Sequence, residues 1–335
     1  VTSPSVLCPI TVGPVELKNR IAMPPMVRLA PHVPPELLDG QGEVTDAIVD
    51  HYVRRARAGT ALIIVEATCV DHRGRVWKHG LNAYDDRYVP GLTRLARSIS
   101  EAGSVPGIQL VHGGPQADAG LCGGVTYGPS EVAPSVGEPE PRELSMAEVL
   151  EVEQRFVEAA ERVVRAGFRL VELHAAHGYL LDSFISPIRN HRRDAFGGSM
   201  ENRMRIVTDI LLRMKANYGR TVAVGARISI FTHLADGFGE AELRTALQIL
   251  EQAGSDFVDL SCDRVLKPAF GGTQTMGQIA RSVTRLPLIV AGGITTAEEA
   301  EQVVAEGHGD IVGVGKAMLA DPEWACRALA LLTHA

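Results

Sequence analysis

The chain has 335 residues, 45% of them hydrophobic, and a formal net charge of −7. That is enough apolar material for a large core, and an acidic balance with no basic run argues against nucleic acid as a partner. No apolar stretch approaches a membrane span, the opening Val1-Thr2-Ser3-Pro4-Ser5 does not read as a signal peptide, and the five scattered cysteines, with no Cys-x-x-Cys, fit a reducing, cytoplasmic compartment.

In chain order, Ile10-Thr11-Val12 and Val15-Glu16-Leu17 flank a turn at Gly13-Pro14. They predict a short hairpin, suited to plug one end of a barrel. Residues 20–26 predict a first core strand, stopped by Pro24-Pro25, and the Pro- and Gly-rich segment 28–43 a loop. Residues 44–58 predict an amphipathic helix closed by Gly59. Strand and helix then alternate: 61–68 with 85–102, 105–112 with 145–166, and 168–174 with 199–218. The series continues with 221–229 and 240–253, 257–261 and 275–284, 287–291 and 297–306, then 310–314 and 322–332. Glu148 stands three residues after Ser145 for a capping box, and Ser199 is placed to cap its helix. Most helices end in Gly just before the next apolar strand.

Eight strand–helix units imply a parallel sheet with right-handed crossovers, closed as a (β/α)8 TIM barrel within one domain spanning 1–335. Long segments at 113–143 and 177–198 follow strands three and four. Both belong on the C-terminal face, where barrel enzymes keep their sites.

The end of strand four concentrates reactive side chains. Alternation puts Leu170, Glu172 and His174 on one face, and the following turn adds His177 and Tyr179. Two imidazoles can hold a substrate oxygen by N–H donors, and a phenol beside them can move a proton. A His-x-x-His pair also suits a metal, but zinc usually needs a third protein ligand. Only Glu66 and His112 stand at comparable strand ends, so no metal is expected. Strand seven runs into Ala291-Gly292-Gly293-Ile294, and strand eight into Gly313-Val314-Gly315-Lys316. In barrels this pair of loops commonly binds phosphate. Gln109 and Arg227 are isolated polar residues in strands three and five. A buried Arg needs an anionic partner, either a barrel carboxylate or a ligand. A planar cofactor monophosphate such as flavin mononucleotide (FMN) meets these requirements together.

These residues, with Leu17-Lys18-Asn19-Arg20-Ile21, Pro24-Pro25-Met26, His112-Gly113-Gly114, the run from His174 to Leu180 and the run from Asn190 to Arg203, are recognisable. The chain resembles the old yellow enzyme family of FMN-dependent ene-reductases, from the hairpin to the last helix. The resemblance implies that Pro24, Pro25, Met26 and Val27 lie along the flavin. It implies that Ala67 and Gln109 contact the ring and that Arg227 sits at its N1–C2 carbonyl side. Gly292, Gly293, Gly315 and Lys316 are implied to hold the phosphate. His174 and His177 are implied to bind the activating oxygen of the substrate, and Tyr179 to protonate Cα. The implied reaction is ping-pong: NAD(P)H reduces FMN and leaves, then an activated alkene, carbonyl- or nitro-substituted, takes up hydride. A homo-oligomer is expected.

The sequence departs from that pattern in places. Val27 stands where many relatives carry Thr or Cys, Leu29 where a subgroup carries Tyr, and Lys316 where some carry Arg. The subgroup's Arg-bearing C-terminal tail is not matched by Leu331-Leu332-Thr333-His334-Ala335. Larger relatives append an iron–sulfur and a second nucleotide domain, and this chain is expected to act without them. Competing readings are a flavin barrel that desaturates or aromatises a cyclic substrate, a metal-dependent hydrolase, and a protein that only sequesters flavin.

Overall fold

The alternating apolar pattern becomes eight parallel strands closed on themselves. The computed structural model describes residues 5–28, 33–229 and 238–334. In chain order, β1 (Ile10–Val12) and β2 (Val15–Leu17) form the antiparallel hairpin. Barrel strands β3 (Ile21–Met23), β4 (Leu62–Cys69) and β5 (Val105–Val111) follow. After a small pair outside the barrel, β6 (Tyr127–Gly128) and β7 (Arg142–Glu143), come β8 (Leu170–Ala175), β9 (Ala223–Ile228), β10 (Val258–Ser261), β11 (Leu288–Ala291) and β12 (Ile311–Gly313). The closed order is β10-β11-β12-β3-β4-β5-β8-β9, so β12 pairs back onto β3. The helices are α1 (Asp46–Arg57), α2 (Val89–Glu101), α3 (Met146–Arg165), α4 (Leu180–Ile185), α5 (Met200–Tyr218), α6 (Glu240–Gln252), α7 (Met276–Arg281), α8 (Ala297–Ala305), α9 (Lys316–Ala320) and α10 (Trp324–Thr333).

The expected punctuation is present. Ser145 Oγ accepts from Glu148 N–H at 3.3 Å while Glu148 Oε2 accepts from Ser145 N–H at 2.9 Å, a complete capping box. Ser199 Oγ accepts from Asn202 N–H at the start of α5. Gly59, Gly103 and Gly167, just past α1, α2 and α3, have φ of +100°, +90° and +102°. A side chain there would be strained, and the left-handed residue turns the chain sharply into the next strand.

Some boundaries differ from expectation. Segment 177–198 is not all loop: it contains α4, six residues that are all buried and so have no exposed face to announce a helix. Segment 28–43 carries a 3-10 turn at Pro35–Leu37. Helix α7 stops at Arg281, three residues early, where Val283 N–H bonds the carbonyl of Ala280 and tightens the turn. Helix α9, directly after β12, was not expected; five residues are too few to show a helical period. Leu29 lies outside the described residues. Among the described residues, no helix is long and apolar enough to cross a membrane.

The barrel interior has two tiers. At the N-terminal end, Leu62, Leu170, Phe257, Ile289 and Ile311 pack with Val12, Val15 and Leu17 of the hairpin, which plugs that mouth as expected. Above them the interior turns polar, with Gln109, Glu172, Arg227 and Asp259 all buried. A bulge in β4 between Val65 and Ala67 displaces Glu66 from the ladder. Its carboxylate instead takes a bidentate pair from Arg28, at 2.6 and 2.8 Å. Arg28 is fully buried and follows Val27 directly, so this ion pair anchors the segment leaving β3.

Candidate active site

A cavity of about 440 Å³ opens at the C-terminal ends of the strands. It is lined by Pro25, Met26 and Val27 after β3, Gln109 of β5, His174 of β8, and His177 and Tyr179 beyond it. Arg227 of β9, Ser261 of β10, and Lys316, Leu319 and Ala320 of α9 complete the wall. A larger open groove of about 840 Å³ runs along the segment after β5, but its ionisable side chains Glu131, Glu138, Glu140 and Arg142 are all exposed. Chemistry that needs shifted pKa values belongs to the smaller, deeper cavity.

His174 leaves β8 pointing inward, as the alternation requires, and is 4% exposed. His177 sits in the turn with φ +62°, an uncommon conformation for a non-glycine residue. Both of its backbone groups are held there. Its N–H donates to Ser229 Oγ at 2.9 Å, and its carbonyl accepts from Gln116 Nε2 at 2.8 Å. The result sets His177 Nδ1 3.4 Å from His174 Nε2, with the two rings at 90°. Tyr179 stands edge-on to His174, ring centroids 4.9 Å apart, and Trp77 backs it at 6.1 Å.

The hydrogen bonds around Ser261 fit one tautomer of His177. Arg227 has only donors, so its Nη2 donates to Ser261 Oγ at 3.2 Å. The single Ser261 hydroxyl proton is then free to donate to His177 Nε2, 2.8 Å away. In that arrangement Nε2 accepts and the proton of the neutral ring is on Nδ1, the nitrogen turned toward His174.

The electrostatics keep these groups neutral. Burial, reinforced by Arg227, lowers the His177 pKa to about 4. Burial holds His174 well below the usual imidazole range, with His177 and Arg227 adding to the effect. Burial pushes the Tyr179 phenol up to about 12, so it stays protonated. Arg227 donates Nη1 to Asp259 at 3.3 Å, while its buried Nε has no partner among the described residues. His174 Nδ1 is likewise buried and unpartnered among them.

The remaining expected residues surround the cavity without lining it. Pro24 is buried behind Pro25, and Ala67 is buried beside Gln109, its register partner across β4 and β5. Gly292 and Gly293 border a neighbouring cavity of about 340 Å³ with Arg264 and Lys267. A Cβ on Gly292 would lie 2.2 Å from the Cys262 carbonyl oxygen, and one on Gly315 2.8 Å from Met26 Sδ. Gly292, at φ +152° against a backbone carbonyl, therefore needs glycine, whereas at Gly315 the flexible Met26 side chain can move aside. The two residues weighed as further metal ligands point elsewhere: Glu66 is held by Arg28, and His112 Nδ1 accepts from Gly114 N–H. Among the described residues, no three His, Cys, Asp or Glu are grouped to hold a metal ion.

Ser261 and Asp259 were not anticipated. The signal was present, since alternation along 257–261 puts Phe257, Asp259 and Ser261 on one face. What was missing was the pairing Asp259↔Arg227 between β10 and β9.

Comparison with known proteins adds an independent line. A family model described as the NADH:flavin oxidoreductase / NADH oxidase family matches residues 5–333. An NADPH dehydrogenase of Bacillus subtilis (strain 168) is 34% identical over 325 residues, covering 95% of this chain and 92% of that protein. An NADH oxidase of Thermoanaerobacter brockii is 35% identical over 328 residues; the match covers 95% of this chain but 49% of that longer relative. Among solved structures, an old yellow enzyme homologue from Zymomonas mobilis superposes with a TM-score of 0.82 at 26% identity, covering 98% of this chain and 93% of that one. Morphinone reductase gives 0.82 at 24% identity, covering 98% and 90%, a likeness of fold.

Proposed function

The chain belongs to the NADH:flavin oxidoreductase / NADH oxidase family, the old yellow enzymes, and from that premise we propose that it reduces the C=C bond of activated alkenes. It is an FMN-dependent NAD(P)H oxidoreductase. The observation that carries the finer reading is the convergence of two neutral imidazole nitrogens, 3.4 Å apart, in one cavity with Tyr179 and Arg227.

The residues fit FMN. Arg227 Nε–H is a buried donor without a partner among the described residues, as an acceptor on the ring edge requires. Gly292, Gly293 and Gly315 would hold a phosphate through their backbone, with Lys316 supplying a charge. Pro25, Met26 and Val27 would face the ring with Pro24 and Ala67 behind them, and Gln109 would meet its polar edge. When bound, FMN supplies hydride acceptance from NAD(P)H and hydride donation to the alkene.

The protein's own part is binding, polarisation and proton delivery. His177 Nδ1–H and a protonated His174 Nε2 would donate to the carbonyl or nitro oxygen of the substrate. Because both rings are neutral, they stabilise charge that develops on that oxygen without pairing to a preformed anion. Tyr179, protonated at any physiological pH, would give its proton to the substrate Cα. The reactive side chains share one cavity, so reductant and alkene would use it in turn, in ping-pong order. The resemblance adds a homo-oligomer to this reading, which light scattering tests.

The test is direct. Protein loaded with FMN is reduced anaerobically by NADPH or NADH and then mixed with cyclohexenone. We expect reoxidation with formation of the saturated ketone. Isolation of FAD, or no uptake of FMN, would sink the cofactor assignment. Reduced protein that enones and nitroalkenes leave untouched, or protein that turns a saturated ketone into an enone, would sink ene-reduction.

A further inference from the structure

Beneath the cavity lie two carboxyls that the reading above does not use. Glu172 of β8 and Asp259 of β10 are both 0% exposed. They come from strands on either side of β9, and Glu172 stands in register with Gly225. A Cβ on Gly225 would lie 2.5 Å from the Phe257 carbonyl oxygen, so the strand between the acids carries no side chain at that level. Each acid has one oxygen provided for: Glu172 Oε1 accepts from Gln109 Nε2 at 2.7 Å, and Asp259 Oδ2 from Arg227 Nη1 at 3.3 Å. The other two, Glu172 Oε2 and Asp259 Oδ1, are buried with no N–H or hydroxyl donor among the described residues.

Two orphaned acceptors on neighbouring buried acids have a simple resolution, which is one proton between them. We propose that Glu172 and Asp259 hold a single shared proton and so act as one negative charge that balances Arg227 beneath the flavin's N1–C2 edge. This rests on the flavin reading above. The surroundings restrict the charge count. Gln109 on β5 is neutral, His174 is neutral, and Glu66 on β4 is committed to Arg28. Strands β3, β11 and β12 contain no ionisable residue. Arg227 is thus the one cation facing the pair among the described residues, and a pair with one proton makes the set neutral. Burial, then repulsion from Asp259, raises Glu172 well above the usual carboxyl range, while Asp259 is raised by burial against the pull of Arg227. Arg227 pairs with Asp259, whereas Glu172 has only the neutral Gln109, so the proton is placed on Glu172, which donates to Asp259. Neither acid reaches the cavity wall, so they act through Arg227 as positioning residues.

A shared proton has a distinctive signature in amide variants. In E172Q, Asp259 keeps the charge. In D259N, Glu172 loses its repulsive neighbour and ionises, so the charge moves but persists. Only E172Q/D259N leaves Arg227 unbalanced, which favours the anionic reduced ring. The readout is the reduced- to oxidised-FMN affinity ratio, obtained as the midpoint potential of each flavin-loaded protein. We expect each single variant to change the ratio by less than about threefold, and the double variant to raise it by at least about tenfold, or about 30 mV for a two-electron couple. A second readout needs no flavin. The infrared carbonyl stretch of a protonated carboxylic acid, sensitive to deuterium, should be present in wild-type apoprotein at neutral pH and lost in either single variant.

Additive shifts, or a D259N shift as large as that of the double variant, would overturn the shared charge, because each acid would then act alone. Absence of the acid band from wild-type protein would overturn the shared proton. Protein that binds FMN but keeps its potential in all three variants refutes the role of the pair and spares the flavin reading. Wild-type protein that binds no FMN refutes the flavin reading and the balancing role, and the infrared band then decides the shared proton by itself.

Discussion

Removal of one hydroxyl tests whether the cavity is polarised as its hydrogen bonds dictate. In Ser261→Ala, Arg227 Nη2 loses an acceptor at 3.2 Å and His177 Nε2 loses a donor at 2.8 Å. His177 stays neutral at pH 7, since its pKa is lowered to about 4, but nothing then selects the Nδ1–H form. Equal tautomer populations alone halve the competent fraction and weaken a ligand about twofold. The lost bond also anchored the ring. Its net worth of about 0.5–1.5 kcal/mol puts the upper limit near tenfold, because 1.4 kcal/mol is a factor of ten. A phenol that mimics the enolate oxygen should therefore bind about two- to tenfold more weakly, and Ser261→Thr should restore binding. Phenol titration of the flavin-loaded protein measures the affinity, and nitrogen-15 NMR of labelled histidine measures the tautomer. Unchanged affinity in Ser261→Ala, with His177 still in its Nδ1–H form, would refute the polarity argument.

Three further substitutions probe other parts of the molecule. Tyr179→Phe should slow alkene reduction by about 10²–10⁴-fold while stopped-flow reduction of the flavin by NAD(P)H is nearly unchanged, because only alkene saturation needs the phenolic proton; equal loss in both half-reactions would make the phenol a flavin-positioning group. Val27→Thr places a hydroxyl on the cavity wall, and a hydrogen bond to the reduced ring should raise its potential by roughly 30–60 mV in an anaerobic titration; an unchanged or lowered value would show that Val27 only packs. Glu153 of α3 is 4% exposed and Oε1 has no partner among the described residues; burial, with Asp209 adding repulsion, raises its pKa from 4.5 to about 7. A raised folded-state pKa gives stability that is full below the unfolded value and is lost as pH rises from 4.5 through about 7. Glu153→Gln should therefore match wild type near pH 4 and exceed it by up to about 3 kcal/mol at pH 8 in denaturant unfolding, whereas parallel pH profiles would show that Glu153 ionises normally.

Much of the architecture was legible in local patterns. Strand–helix alternation marked eight units, the glycines at 59, 103 and 167 marked helix ends, and Ser145 with Glu148 marked a start. Each signal works within a few residues and needs no distant partner. The elements missed were short and buried. All six residues of α4 are buried, the polar Asp182 and Ser183 included, so it has no exposed face to set a period, and α9 is barely one turn long. The reactive stretch from His174 to Tyr179 was visible because three such side chains fall within six residues. The resemblance supplied roles for Arg227 and the glycines, but not the partners that hold them.

Those partners were decided by barrel closure. Alternation states which face of its strand a residue occupies, but it carries no information about register between strands. Closure sets Asp259 against Arg227 and His174 against the same Arg227 from the other side. That register, with Gly225 leaving room, brings Glu172 near Asp259 and Ser261 within reach of both Arg227 and His177. The amino-acid order placed these polar side chains inside the barrel. Which of them share protons and charge depends on positions 32 to 87 residues apart meeting in one interior, as Arg227 does with Asp259 and Glu172 with Asp259. Only the closed sheet specifies that meeting, because strand tilt and stagger are properties of the whole ring of hydrogen bonds.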